Sequence, residues 1–573
     1  MLLLACAAGE SAAIGRIVLE IGEVSMPGVQ ASGLEASLDL ASPSRALRVR
    51  AERLDLGSEV GVYRDIEAMC TRLLVRESEL ACLDGTIQAD GSPLGRMAAR
   101  LAGEHDMARG RTAFQLSGLS IAGGQASLAG TAESDRWSLQ ADANALSAPE
   151  LRRLIAPWVQ VPSSYTFDGR VRAQARARSG KGGTATLDLK LLVANLDLTD
   201  DEGTVATEGL TVSIEITAHR ASDAFTFDVG LAGTAGQALA GPVLLDLGAN
   251  PLKLQASAAL RGDSLHVTQL SVAQDGLMTA EANGRVRITE RPHLTEARIE
   301  VSRLQFPAAY ASFLQLPLAT TDFGALSMAG TASGTIEIAD NRVTRVSARI
   351  DDLDIEDAEG RLSMTDLQGT LHWADADDAP VEPSRLAWSR ASAYGLSGGA
   401  AQVDFITRGT GFELLRETRL PIFDGALVIN TLAVRQLGAP DAELDFDARI
   451  EPISMPLLSR AFGWPELSGQ LSGSIPGVTY RNGVLAVEGD LTASVFDGTI
   501  TGSRFRLRDP FGWPRLYADV TARRLDLELV TRAFPIGSIT GRLDADIRGL
   551  ELFNWSPVAF DARLYSTPDD RSR

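Results

Sequence analysis

Gly209-Leu210-Thr211-Val212-Ser213-Ile214-Glu215-Ile216 is the stretch whose reading decides the fold. Successive side chains of an extended chain point to opposite faces. Leu210, Val212, Ile214 and Ile216 therefore share one side, with Thr211, Ser213 and Glu215 on the other. Phe225, Phe227, Val229 and Leu231 repeat the pattern. So do Leu444, Phe446, Ala448 and Ile450, opposed by Glu443, Asp445, Asp447 and Arg449. Leu485 with Val487, and Leu525, Leu527 and Leu529, follow the same rule. Turn formers such as Asn482-Gly483 and Asp497-Gly498 separate these runs, as in hairpins. The expected fold class is mainly β: an elongated, curved antiparallel sheet forming a groove, with a few short helices.

Helical candidates are 149–156, 307–314 and 456–462. They begin at Pro149, Pro307 and Pro456, which suits a helix's first turn. Leu527 to Ala533 is a fourth, competing with the strand reading of Leu527 and Leu529. Leu196-Asp-Leu-Thr-Asp-Asp-Glu-Gly203 returns as Leu353-Asp-Ile-Glu-Asp-Ala-Glu-Gly360, with Leu210 over Leu367 and Ile214 over Leu371. Ile422-Phe423-Asp424-Gly425-Ala-Leu427 returns as Val495-Phe496-Asp497-Gly498-Thr-Ile500. Tandem modules of roughly 150 residues are expected, with boundaries at 1–145, 146–300, 301–450 and 451–573.

The chain has 573 residues, 45% hydrophobic and 22% charged, which fits neither a disordered tail nor a chain of membrane spans. Its 54 basic and 74 acidic residues give a net charge of −20, which repels phosphate backbones and argues against nucleic acid as a partner. Lys181, Lys190 and Lys253 are the only lysines, an arginine bias spread along the whole chain. Five histidines (His105, His219, His266, His293, His372) and three cysteines (Cys6, Cys70, Cys82) form no short ligand pair, so neither metal nor cofactor is expected. Cys70 and Cys82 lie about evenly on either side of the Arg76-Glu77-Ser78 turn. They are either a disulfide across a hairpin, implying an oxidising compartment, or two reduced half-buried thiols. Met1-Leu-Leu-Leu-Ala-Cys6 is apolar but too short to span a bilayer and lacks a basic flank. It is read as the remnant of a longer hydrophobic anchor.

Signatures of catalysis fail on context. Gly262-Asp263-Ser264-Leu265 reads as a turn between strands, and Gly395-Leu-Ser397-Gly-Gly399 lacks the strand-to-helix elbow a nucleophilic serine needs. Ser179-Gly180-Lys181-Gly182 lacks the remaining residues of a phosphate loop. Asp351, Asp352 and Asp354 read as the wet face of a strand. Asp375, Asp377 and Asp378 lie in a loop without the glycine and terminal glutamate of a calcium hand. No enzyme is expected. Amphipathic strands with little covering helix bury their apolar sides either between two sheets or in a trough shared with a ligand. About thirty strands at about 4.8 Å would make roughly 140 Å of trough. The aliphatic lining suits acyl chains.

The last third runs from Gly469-Gln-Leu-Ser-Gly-Ser-Ile-Pro-Gly477 through Val495-Phe-Asp-Gly498 and Pro510-Phe-Gly512. It continues to Phe534-Pro-Ile-Gly-Ser-Ile-Thr-Gly-Arg-Leu543 and Leu552-Phe-Asn-Trp-Ser-Pro-Val-Ala-Phe-Asp561. Over about 100 residues this order resembles the C-terminal region of the YdbH branch of AsmA-like proteins, related more distantly to TamB. The resemblance implies a periplasmic β-groove protein anchored in the inner membrane by an N-terminal helix and passing phospholipid toward the outer membrane. Such a protein could also meet an outer-membrane lipoprotein by strand addition. Family members carry an anchor helix before Met1 and continue beyond Thr567-Pro-Asp-Asp-Arg-Ser-Arg573. A non-catalytic envelope scaffold that binds partners through exposed strand edges is the alternative. A carbohydrate-active β-helix would need a short regular coil period, which the chain lacks.

Overall fold

The computed structural model describes residues 15–26, 29–40, 46–57, 61–92, 95–134, 136–156, 164–180, 183–221, 224–289, 292–321, 324–376, 380–436, 442–463, 466–481, 483–508, 513–533, 539–554 and 556–567. Met1 to Cys6, Lys181 and Gly182, Asp377 and Asp378, Asn482, Pro510 to Gly512, Phe534 to Gly537, Trp555 and Pro568 to Arg573 lie outside the described residues. Within them the chain is mainly β, with thirty-six strands and four short helical stretches.

The chain divides into two compact units, Met1–Asp275 with Arg285–Pro292, and Gly276–Gly284 with His293–Arg573. In the first, each strand from Arg16–Met26 to Ser264–Gln274 pairs antiparallel with the next. Ala224–Ala240 is long enough to carry two strands end to end, Val243–Asp246 and Leu252–Arg261. The second unit follows the same rule from His293–Phe306 to Ser556–Thr567, with some lanes broken in two. Ser384–Trp388 and Arg390–Ala393, for example, share Leu362–Ala374 as neighbour.

One short parallel contact departs from the expected antiparallel order, setting Trp373 and Ala374 beside Thr407 and Arg408. Two hydrogen bonds hold it: Trp373 Nε1 donates to Gly409 O at 2.8 Å, and Thr407 Oγ1 donates to His372 O at 2.7 Å. Nearby, Asp404 is buried. Burial pushes its carboxyl up, but hydrogen bonds from Arg385 and Gln402 and the charges of Arg385 and Arg416 win, and it stays below the usual carboxylate range.

Three proline-led helical stretches form where expected, two within a residue of the expected bounds and the one after Pro307 running four residues further, to Leu318. Ala148–Ile155 and Met455–Phe462 each hold a proline in the first turn. Met455–Phe462 stops at Gly463, whose φ of 67° only glycine adopts without strain. Pro307 precedes a wide turn, Tyr310–Leu314, continued by Gln315–Leu318. Leu527–Ala533 is helical, so the strand reading of Leu527 and Leu529 is corrected. The strand Arg515–Asp526 ends where the Asp526 carboxylate accepts the backbone N–H groups of Glu528 and Leu529, at 2.9 and 3.3 Å, and starts a helix.

The internal repeat holds at atomic detail. Leu196 pairs with Leu210 and Leu353 with Leu367, each beside a register shift. Asn195 (φ 50°) and Asp352 (φ 58°) are the extra residues at those bulges. Asp200 and Asp357 close the equivalent turns. Asp200 takes Thr204 Oγ1 at 2.6 Å and Val205 N–H at 3.1 Å; Asp357 takes Arg361 Nε at 2.9 Å and Glu359 N–H at 3.1 Å. Those Arg361 hydrogen bonds hold the Asp357 carboxyl at about 2.

Cys70 and Cys82 form a disulfide between Val62–Val75 and Glu79–Ser92, with Cα atoms 5.8 Å apart. They are not directly opposite. Cys70 faces Gly85 and Cys82 faces Leu73, so the bridge crosses a bulge. A Cβ on Gly85 would lie 3.0 Å from Cys82 Sγ and 2.7 Å from Met69 O, which is why the position has no side chain.

Two measurements follow from this architecture. Joining residues 12 apart in sequence, the disulfide should contribute about 3 kcal/mol, so Cys70→Ser should lower the urea midpoint by that equivalent. An unchanged midpoint would show that the bridge does not form in the purified protein. Because the Asp357 carboxyl is depressed, its stabilisation is complete above its ordinary pKa and drains away as pH falls from about 4 toward 2. Asp357→Asn should therefore flatten the thermal-stability profile in that window and leave its slope near neutral pH unchanged.

Candidate functional site

Directly opposed residues of antiparallel strands lie on the same face, so the pairing register shows where each apolar side chain goes. In the first unit Ile216 faces Leu189, and the row continues through Ala175, Ala141, Leu128, Leu116 and Leu101. It then crosses Gly85, Cys70, Leu47 and Leu38 to Ile17. In the other direction it passes Val229 and Ala256 to Leu270. Fifteen strands thus contribute fifteen residues without a charge or hydroxyl. At about 4.8 Å per strand this is a contour of about 67 Å.

A parallel row lies two residues along most strands, or three where a bulge intervenes: Leu73, Cys82, Gly103, Phe114, Gly130, Leu139, Ala177, Leu187, Ala218, Phe227, Ala258 and Val267. A third joins Ile214, Leu191 and Ala173 to Leu231, Leu254 and Val272. The opposite face carries Asp142, Gln174, Lys190, Glu215, Gln255 and Ser271 in one row.

Among the described residues these apolar rows keep much of their surface open to water. Among the described residues, the large buried clusters all belong to the second unit. In the first, Leu139 and Leu187 keep 37% and 38% of their surface in water, and most of the row is half-buried. A depression of about 780 Å³ crosses the same strands, with Cys82, Phe114, Leu139 and Ala177 in its lining beside Glu104, Arg176 and Asp188.

In the second unit Leu420, Leu427, Ile450, Gly473, Ala493, Ile500, Ala522, Ala545 and Leu564 form one row. Leu444 and Leu485 fall in another with Tyr480, Leu507, Leu516 and Leu552. Phe446 and Val487 meet through Val478, and Ala448 faces Ile429 and Ile475. A cavity of about 300 Å³, almost wholly apolar, opens on this face between Ile450, Ile475, Leu491, Ile500, Val520 and Leu550. Gly473 and Gly502 are in its lining; a Cβ on Gly502 would find its nearest neighbour at 3.9 Å, whereas one on Gly473 would strike the Thr492 carbonyl.

Each candidate lining residue on a strand is therefore placed on the apolar face of its own unit. Leu210, Val212, Ile214 and Ile216 are half-buried there with Phe227, Val229 and Leu231, while Phe225 lies further toward the hairpin turns. Leu525 is buried against Ala522, Ala545, Phe496 and Leu543. Leu527 and Leu529 belong to the helix instead.

The Phe-Asp-Gly triplets are corner pieces. Phe423 and Phe496 pack in the cluster formed by Ile453, Met455, Leu458 and Val495, under the helix Met455–Phe462. The Asp424 carboxylate accepts from Ser454 N–H at 3.0 Å and from its hydroxyl, which holds that carboxyl below its usual range. Asp497 is bound by Arg542 Nη2 at 2.7 Å, on the strand that follows Leu527–Ala533. Gly425 and Gly498 lie against backbone of the strands entering the two helices. An added Cβ would meet Pro452 O at 2.3 Å and Arg523 O at 2.6 Å respectively. A further triplet, Phe167-Asp168-Gly169, sits at a bulge after the first helix, with Gly169 at φ 136° and Arg152 stacked 5.3 Å over Phe167.

Among the described residues no group of three His, Cys, Asp or Glu side chains is placed to hold a metal. Ser264 opens a strand directly after the Gly262-Asp263 turn, and Ser397 lies within the short strand Leu396–Gly398. No family model and no curated protein matches this chain.

The corner geometry is tested by two glycines of one strand. Gly498→Ala should cost about 1–3 kcal/mol through the backbone overlap. Gly502→Ala, whose Cβ would find its nearest neighbour at 3.9 Å, should leave the melting temperature within a degree or two. Equal effects would refute the corner assignment.

Proposed function

We propose that this protein binds the acyl chains of phospholipid along its apolar sheet face and transfers them along it. The observation that carries the proposal is the fifteen-residue row from Ile17 to Leu270, free of polar groups and half-open to water. Each methylene moved from water to an apolar surface is worth about 0.8 kcal/mol, so sixteen carbons gain on the order of 10 kcal/mol. A single buried charge in the row would take back several of those kilocalories. An uninterrupted row is what movement of a chain from strand to strand requires. The bacterial periplasm, between inner and outer membrane, is the proposed setting, and the Cys70–Cys82 disulfide supports an oxidising compartment.

Protein purified from cells under native conditions should carry phospholipid detectable by mass spectrometry. Ile216→Asp, in the middle of the row, should cut the lipid per protein at least fivefold. Ser213→Asp, on the other face opposite Leu192 and Ala232, should not. Both variants should keep the wild-type circular dichroism spectrum, because neither position is fully buried. Lipid-free wild-type protein, or equal loading of the Ile216→Asp variant, would refute the proposal.

A further inference from the structure

The apolar rows of the first unit end, toward the hairpin turns, in a row of different chemistry. Two residues beyond Cys82, Phe114, Leu139 and Ala218 in the same sense lie Leu80, Thr112, Trp137 and Arg220. The register continues this row from Leu80 through His105 to Thr112, Ala132 and Trp137, and separately from Ala185 through Arg220 to Phe225. His105 Nδ1 and Thr112 Oγ1 are 2.9 Å apart. Trp137 keeps 45% of its surface exposed, and the Arg220 guanidinium lies 5.6 Å over the Phe225 ring.

Along the strand Val205–Ala221, the side chains facing this way read Val212, Ile214, Ile216, Ala218 and then Arg220. From Val212 to Ala218 the apolar band is six residues deep, about 20 Å. One leaflet of a bilayer's hydrocarbon is about 15 Å. A tail laid along the strands therefore fits within the band, with its headgroup at the outer row. Trp, His and Arg at that level are the residues that favour a water–hydrocarbon boundary.

The row holds no carboxylate. Asp106 and Glu133, each one residue past it, alternate to the opposite face beside Arg111 and Arg136. Arg220 thus offers a cation for a phosphate, while nothing in the row would pair with a headgroup ammonium.

Resting on the lipid-binding reading above, we infer that this outer row is a headgroup rim. Arg220 is its phosphate-contacting, specificity-determining residue, and it favours anionic phospholipid over phospholipid bearing an ammonium group.

The test loads full-length protein from vesicles of equal parts phosphatidylglycerol and phosphatidylethanolamine and weighs the bound lipids by native mass spectrometry. Wild type should hold an excess of phosphatidylglycerol. Arg220→Gln should lower the phosphatidylglycerol-to-phosphatidylethanolamine ratio roughly fivefold at unchanged total lipid. Arg172→Gln, on the polar face two strands away and opposite Leu192, should leave the ratio as it is. Loaded wild type with no preference, or a ratio that Arg220→Gln does not move, would overturn the rim and leave the lipid-binding reading standing. Wild type that takes up no lipid would overturn both.

Discussion

Parity is the constraint on which the rest depends. A strand that slips by one residue against its neighbour turns its whole apolar set to the other face. The row through Ile216 survives fifteen strands because every pairing from Ile17 to Leu270 keeps that parity. Among the described residues of the first unit the one helix, Ala148–Ile155, packs on two strands, so turn geometry and cross-strand fit hold most of the register. The hairpin turns do much of this work. Ala122 and Gly123 take φ of 45° and 71°, and Phe496 and Asp497 take 52° and 55°, conformations matched to the twist of the strands they join.

Where the sequence pattern changes phase, the backbone changes with it. Leu187, Leu189, Leu191 and Val193 are odd-numbered, yet the next residues on their face are Leu196 and Leu198. Asn195 absorbs the extra residue at positive φ, and Asp352 does the same between Ile350 and Leu353. Asn and Asp tolerate that conformation better than other side chains. Gly169 and Gly330 lie directly across from these bulges. A Cβ on Gly330 would be 2.1 Å from Asp352 O, so the bulge in one strand dictates a glycine in the next. One such coupled pair appears in each unit.

The strands were legible because period-two alternation is a local signal, and Leu210 to Ile216, Phe225 to Leu231 and Leu444 to Ile450 do lie in strands. The disulfide was legible as one of two alternatives because both cysteines flank a single hairpin. Leu525, Leu527 and Leu529 fitted both one strand run and, from Leu527, a helix to Ala533, because apolar residues at alternate positions also fit the start of a helix; the helix is what forms. Asp526, a helix-capping residue inside the run, was the overlooked signal. The Phe-Asp-Gly triplets were visible as repeats, but their role as corners depends on Ser454 and Arg542, residues 30 and 45 positions away that no local pattern connects to them. The parallel contact of Trp373 with Thr407 had no local signature at all.

An apolar face left half-open is a standing hazard, because exposed hydrophobic surface of this extent ordinarily leads to association. Two features moderate it. Small residues occupy much of the rows: Ala141, Ala175 and Ala256 in the first unit, and Gly473, Ala493, Ala522 and Ala545 in the second. The exposed area is therefore smaller than an all-leucine face would present. The net charge of −20 gives copies of the chain a mutual repulsion that opposes face-to-face pairing. Gly502, where an added Cβ would meet nothing nearer than 3.9 Å, leaves open space beside the cavity on the second unit's face. An all-leucine face would be stickier toward another protein. Alanine and glycine fall on paired neighbouring strands, Ala141 beside Ala175, Gly473 beside Ala493 and Ala522 beside Ala545, and so limit what the bare face costs where they cluster.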